Sequence, residues 1–343
     1  MSSSEPIFVA GPDRSGTSLM FAILGSHPNI SMVRRTNIWR WFYGQFGDLK
    51  QQENFEQCLE MMLSYTRMEG LHPDPDRIRR EFWQGTPSYG RLFDLVHRHH
   101  AESLGKSRWG DKSLHTEHYA DQVFTEFPRA KIIHMIRDPR DRYASIIKRY
   151  KGRTKGVAST TMQWLTSASW AARNASKYPG SYLAVRYESL AHSPERTVRS
   201  TCTFLNEEYE PSMLMMDGIP EHRDGGNSSF ERLTPGTIST RSIGRYQKVL
   251  TPREIAFIQA HAGKEMTAFG YNLAPTNLTA SERIAFYLTD YPLNSIKMAA
   301  ARIKEAFGDS QGQKVPKHRL RQSETGQAMG NENLAAIGSA EKQ

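Results

Sequence analysis

Cysteine is nearly absent: Cys58 and Cys202 are the two in 343 residues. Two thiols do not make a disulfide framework, so both read as reduced, partly buried side chains. No stretch approaches the ~18 apolar residues that a membrane-spanning helix needs. The N-terminus, MSSSEPIFVAG, has no basic stretch ahead of its short apolar run and lacks the plan of a secretory signal. These absences lead to the expectation of a soluble, cytoplasmic protein without a transmembrane segment. Hydrophobic residues make up 38 % of the chain, low for a sequence packed throughout, so part of it is expected to be poorly ordered.

Positive charge is in surplus. The 45 Lys and Arg against 36 Asp and Glu give a formal net charge of +9. That favours a polyanionic partner: nucleic acid, an anionic membrane or a phosphate-rich cofactor. Charge alone does not choose among them.

The organisation is one of strands alternating with helices. Residues 6–11 (PIFVAG) form a short apolar run ending in glycine, which predicts a buried strand. A turn of small residues follows, and Leu19, Met20, Ile23 and Leu24 keep helical spacing until Gly25 and Pro28. Residues 131–136 (KIIHMI) predict a second buried strand and 182–186 (YLAVR) a third, with a short strand near SRWGDKS. Residues 50–105 read as helical. Pro194 follows Ser193 as a helix start, and Thr251 with Glu254 forms a capping box. The expected fold class is α/β, a central parallel β-sheet flanked by helices. A helical extension is expected over 276–308, with packing on the domain as its default role. A polar, disordered tail is expected over 309–343.

Two segments are suited to anions. In GPDRSGTS a glycine-rich turn leads from a buried strand into a helix, which aims backbone N–H groups and the helix dipole at one point. Gly11 and Gly16 have Walker A spacing, but Thr17 stands where the Walker lysine would be. A triphosphate therefore loses its main cation, and Arg14 supplies a different one inside the turn. In RDPRDRYAS, Arg137 ends the second strand and Ser145 lies eight residues on, within the next helix. An arginine and a hydroxyl so placed can clamp a phosphate. The bland reading is a solvated basic face, since residues 129–155 hold ten Lys or Arg and two Asp.

Taken together, these segments resemble the sulfotransferases that use 3′-phosphoadenosine 5′-phosphosulfate (PAPS). FVAGPDRSGTSLM is similar to the family's 5′-phosphosulfate loop and IIHMIRDPRDRYASI to its 3′-phosphate motif. SRWGDKS, VRYESLAHSPERTVRSTCTFL and IGRYQKVLTPRE resemble later segments, in family order across residues 6–271. The resemblance implies a P-loop-like sulfotransferase fold with its catalytic domain over 1–275, and PAPS as co-substrate with no metal. It implies that Arg14 with Ser15, Gly16, Thr17 and Ser18 holds the 5′-phosphosulfate, and that Arg137 and Ser145 hold the 3′-phosphate. Tyr187 would lie near the adenine, Arg241 and Arg245 would close over the cofactor, and Lys112 would reach the transferring group.

The acceptor must also lose a proton. Family members that modify tyrosine or glycans carry a glutamate soon after the first helix, where this chain has Arg34 and Arg35. Asp111 is the first substitute as base and His115 the second. The acceptor class stays open among glycan, lipid, small metabolite and tyrosine. Two other readings stand beside the sulfotransferase: a P-loop-like nucleotide or phosphate kinase, and a basic protein that binds nucleic acid or membrane. His97, His99 and His100 are expected on a solvated helix surface.

Overall fold

The computed structural model describes residues 5–150, 156–228, 233–310 and 315–321. Five parallel strands form one sheet in the order β2-β3-β1-β4-β5: β1 Ile7–Ala10, β2 Ile30–Arg34, β3 Arg108–Lys112, β4 Lys131–Ile136 and β5 Tyr182–Arg186. β2 is the strand that periodicity missed. It begins two residues after Pro28, and its run ISMVR shows neither alternation nor a long apolar stretch.

Successive side chains leave a strand on opposite faces, and the two faces carry separate cores. Phe8, Ala10, Trp109 and Ile132 pack with Phe55, Phe82 and Phe93 of the helices Gln52–Ser64, Pro75–Phe82 and Tyr89–Ser103. Ile7, Val9, Met32, Ile133 and Met135 lie under Leu19, Ile23 and Leu24 of the helix Thr17–Gly25. A third cluster, including Ile136, Tyr143, Trp164 and Phe257, joins the helices Pro139–Tyr150, Gly156–Lys177 and Pro252–Ala268.

β1 sits mid-sheet between β3 and β4. The chain leaves β1 toward one edge and leaves β4 toward the other. Their carboxyl ends therefore border the crevice where open α/β sheets bind ligands, and both anion segments end there. The backbone is tight at this point. Gly11 has φ +119°, and a Cβ on it would sit 2.4 Å from the Met135 carbonyl oxygen.

Several local expectations need correction. The Ser193 hydroxyl makes no cap bond, although Pro194 does begin a helix. His97 is buried, its ring stacked on Trp109 at 4.5 Å, and His99 is buried with Nε2 3.1 Å from Glu81. The tryptophan on β3 supplies an apolar seat that pulls this helix face inward. Residues 315–321, read as part of the tail, run back onto the domain. Val315 joins the first core, the Thr66 N–H donates to the Arg319 carbonyl and the Arg321 N–H to that of Ser64. Residues 322–343 lie outside the described residues.

Gly11→Ala should lower unfolding free energy by about 2 kcal/mol or more, since it combines a left-handed φ with a backbone clash. Urea denaturation checks this, and an unchanged midpoint and slope would show that the β1–β4 approach is looser than described.

Candidate active site

The turn after β1 holds its shape with two left-handed residues, Arg14 at φ 69° and Gly16 at φ 93°. Gly16 is obligatory on space as well: a Cβ would lie 2.6 Å from Cδ2 of the Tyr187 ring. The turn is anchored from below, where the Gly11 N–H donates to Oε2 of buried Glu117 at 3.2 Å. From the side, the guanidinium of Arg142 donates to the Asp13 carbonyl at 2.9 Å and to that of Thr160 at 3.0 Å. Arg142 is buried, and burial brings its pKa down to about 10.

The charged residues of RDPRDR each take a separate position. Asp138 and Arg140 pair with each other at 2.6 Å, and the Arg140 guanidinium stacks over Tyr246. Asp141 accepts from the N–H groups of Gly244 and Tyr246, which docks the segment carrying Arg241 and Arg245. Arg137 is buried at the strand end. Its guanidinium donates to the carbonyls of Arg14 at 3.2 Å and Ser242 at 2.8 Å and stacks over Tyr187 with 4.4 Å to the centroid. A solvated basic face is thus not what these residues form: Arg137, Arg140 and Arg142 are all inside.

The two anion segments meet. Nε of Arg14 donates to the Ser145 hydroxyl at 3.0 Å. Asp13, Arg14, Gly16, Thr17, Ser18, Arg137 and Tyr187 line one cleft of about 600 Å³, together with Lys148, Arg149, His222 and the 225–228 loop. Ser15 is buried beneath it. Arg241 and Arg245 are not among the lining residues, but Ser242 between them bonds both Arg137 and the Tyr187 hydroxyl. Thus the segment is seated beside the cleft.

Lys112 ends β3 in register with Arg34, and the Arg35 N–H donates to the Lys112 carbonyl at 3.0 Å. Burial first, and then the Arg35 charge, lower its pKa to about 8, while Asp13 and Asp111 oppose them. Asp111 is on the other face of the strand from Lys112. It has no exposed surface and burial raises its pKa to about 6, against the nearby hydroxyls of Ser113 and Thr36. His115 packs against the ring of His118 at 5.4 Å. Neither Asp111 nor His115 lines the cleft, nor does Lys112, although its charge reaches the cleft at His222.

His222 does, and periodicity gave no sign of it. It lies on the short helix Pro220–Gly225, in a stretch, PEHRDGG, without motif or pattern. Its Nε2 is buried with no hydrogen-bond partner. Burial, followed by the charges of Arg34, Arg14 and Lys112, brings its pKa down to about 4, so the ring is neutral at neutral pH. Arg34 is itself paired with Glu221, the residue before it. Among the described residues no group of three or more His, Cys, Asp or Glu is placed to hold a metal ion.

A strand–turn–helix loop, a second cationic strand end and a shared cleft at the sheet's switch point make a site suited to an anionic ligand. The model of the sulfotransferase family matches residues 6–211, and the chain belongs to that family. A protein of Aquifex aeolicus (strain VF5), described only as uncharacterized, is 27 % identical over 267 residues, which are 73 % of this chain and 32 % of that one. The chain thus spans about a third of that relative's length. The sulfotransferase domain of the Synechococcus PCC 7002 olefin synthase has the same fold, with a TM-score of 0.56 and 18 % identity over 80 % of this chain and 98 % of that one. A sulfotransferase domain from the curacin biosynthetic pathway gives 0.52 at 18 % identity, over 79 % and 99 %.

Lysine-detected NMR titration should find Lys112 losing its proton near pH 8. Arg35→Ala should move that midpoint upward, because a like charge is removed. A wild-type midpoint at the ordinary lysine value of ~10.4 would contradict the burial argument.

Proposed function

We propose that this chain transfers the sulfuryl group of PAPS to a hydroxyl or an amine of an acceptor. The observation that carries the reading is the single cleft in which Arg14 and Arg137 both stand. A nucleotide with anionic groups at both ends matches two cationic sites so joined. The residues fit such a ligand on a second count. Ser15 Oγ and Arg137 Nε are buried without hydrogen-bond partners, and such donors call for an acceptor.

In this reading the N–H groups of Ser15, Gly16, Thr17 and Ser18, with Arg14, hold the 5′-phosphosulfate. Arg137 and Ser145 hold the 3′-phosphate. Tyr187, whose hydroxyl is tied to Ser242 and Asn227, is the wall beside the adenine. Arg241 and Arg245 close over the nucleotide from the docked segment. Bound PAPS supplies an activated sulfuryl group whose leaving group is the 5′-phosphate. Lys112 is cationic below about pH 8 and stabilises negative charge that grows as the acceptor oxygen attacks. His222 is the general base: neutral, in the same cleft, with a free ring nitrogen to accept the acceptor's proton. Asp111 and His115 take no part in it. The kinase reading has less support, since Thr17 still stands in the Walker lysine position.

Arg137→Ala should weaken adenosine 3′,5′-bisphosphate binding, measured without Mg²⁺, by about 10–100-fold, the worth of a charged hydrogen bond. Unchanged affinity would remove Arg137 from the nucleotide site. Lys112→Ala should cut turnover ~100–1000-fold. In the wild type kcat/KM should fall as pH rises through about 8, where the lysine loses its charge. Lys112→Arg should flatten that alkaline limb, and an alkaline limb that stays in place would reassign it. His222→Gln should slow transfer at least ~100-fold with nucleotide affinity kept; full activity would return the search for the base to Asp111.

A further inference from the structure

The helical extension carries an apolar row that nothing among the described residues covers. Ile284, Tyr287, Leu288, Leu293, Ile296 and Ile303 are 53–73 % exposed. The other side of the same helices is packed: Phe286 is buried in the third core, and Tyr291 stacks on His261 at 5.0 Å. The row spans two helices, Ala280–Ala285 and Tyr291–Ser310, with a π turn at Phe286–Asp290 between them. A π turn takes in one residue more than an α turn, so it rotates the helix before it by about 100°. In an uninterrupted helix Ile284 and Tyr287 would point toward the domain. With the turn, they and Leu288 share a side with Leu293, Ile296 and Ile303. The result is a continuous apolar face roughly 30 Å long.

Its borders are positive. From Thr279 to Ile303, every exposed charged side chain is a cation: Arg283, Lys297 and Arg302. The two carboxylates are less exposed and engaged, Glu282 in the capping box of Thr279 and Asp290 with Arg253 at 2.7 Å. Helical spacing sets Lys297 on one flank of the Leu293–Ile296–Ile303 row and exposed Arg302 on the other, where it also lines a cavity against the domain with His261 and Glu265. No helix among the described residues is long and apolar enough to cross a membrane.

We infer that this face seats the protein on the surface of an anionic bilayer. The apolar row enters the boundary between headgroups and acyl chains, and the flanking cations meet lipid phosphates. A second copy of the chain fits the face less well. It would bring two cation-bordered faces together in a protein of net charge +9, and like charges across an interface are unfavourable.

The test is co-sedimentation of the full chain with phosphatidylcholine vesicles, with and without phosphatidylglycerol. Binding should require phosphatidylglycerol and weaken as salt rises. Leu288→Glu with Ile296→Glu should reduce binding at least ~10-fold, and Lys297→Glu with Arg302→Glu should remove its lipid dependence. Both double variants should keep wild-type affinity for adenosine 3′,5′-bisphosphate and a wild-type melting temperature, since the positions are exposed. Wild-type protein left in the supernatant with anionic vesicles would overturn the inference. So would a dimer in sedimentation velocity that Leu288→Glu with Ile296→Glu dissolves, which would assign the face to a second copy. Vesicle binding that appears only when the chain is cut after Arg321 would assign it instead to residues 322–343.

Discussion

The guanidinium at the end of β4 is the point through which the site is assembled. Arg137 grips the Arg14 carbonyl, the Ser242 carbonyl and the face of Tyr187, while its own carbonyl accepts from Trp164. Three stretches far apart in sequence are thereby held at one strand end: the turn after β1, the helix Tyr187–His192 and the segment around residue 242. Each contact uses a carbonyl or a ring, none a carboxylate. No carboxylate bonds the guanidinium directly, although the charges of Asp141 and Glu188 act on it. The same economy recurs at Arg142, which is held by the carbonyls of Asp13 and Thr160 and by the Gln163 side chain.

Such an arrangement concentrates like charge. Burial, and then Arg137 acting against the favourable effect of Asp13, push the Arg14 pKa down. Lys112 feels burial and then Arg35 in the same sense. The fold tolerates the repulsion because the groups are fixed by the sheet and by backbone hydrogen bonds rather than by their own pairing. An anion placed among them gains from every member at once, and no reorganisation is needed when it arrives. Arg14 in a left-handed conformation adds a further modest cost at the same spot, the kind of local strain that a rigid surrounding holds in place.

How far the sequence reaches depends on the range of the interaction that decides each feature. The anion turn and the β4 strand end are written in contiguous residues, because a strand, a glycine turn and a helix start are local matters. Their meeting at one crevice follows from α/β topology, and Arg14 does reach Ser145. The capping box of Thr251 and Glu254 formed as read. What escaped was set by distant partners: the burial of His97 by Trp109, the seating of residues 315–321 beside Ser64 and Thr66, and the placing of His222 by a helix too short to have a period. Asp111 is a different case. The alternation of a strand already separates it from Lys112, so the reading that put both at one reacting centre overlooked a constraint present in the five residues RWGDK.

The proposed choice of base follows from the same charge. After the first helix this chain has Arg34 and Arg35, and Arg34 is already paired with Glu221. A free carboxylate among Arg14, Lys112 and Arg34 would be held ionised by three cations and become a poor proton acceptor. A neutral imidazole escapes that trap in one respect: it enters the cleft without charge, so the cations do not bind it. Burial first, and then those cations, lower its basicity to about 4. An anionic nucleotide in the cleft screens the same cations and relieves their share of the lowering, while the larger share, due to burial, stays. In the proposed reading, proton abstraction by His222 is thereby coupled to nucleotide binding through the shared field of Arg14, Arg34 and Lys112.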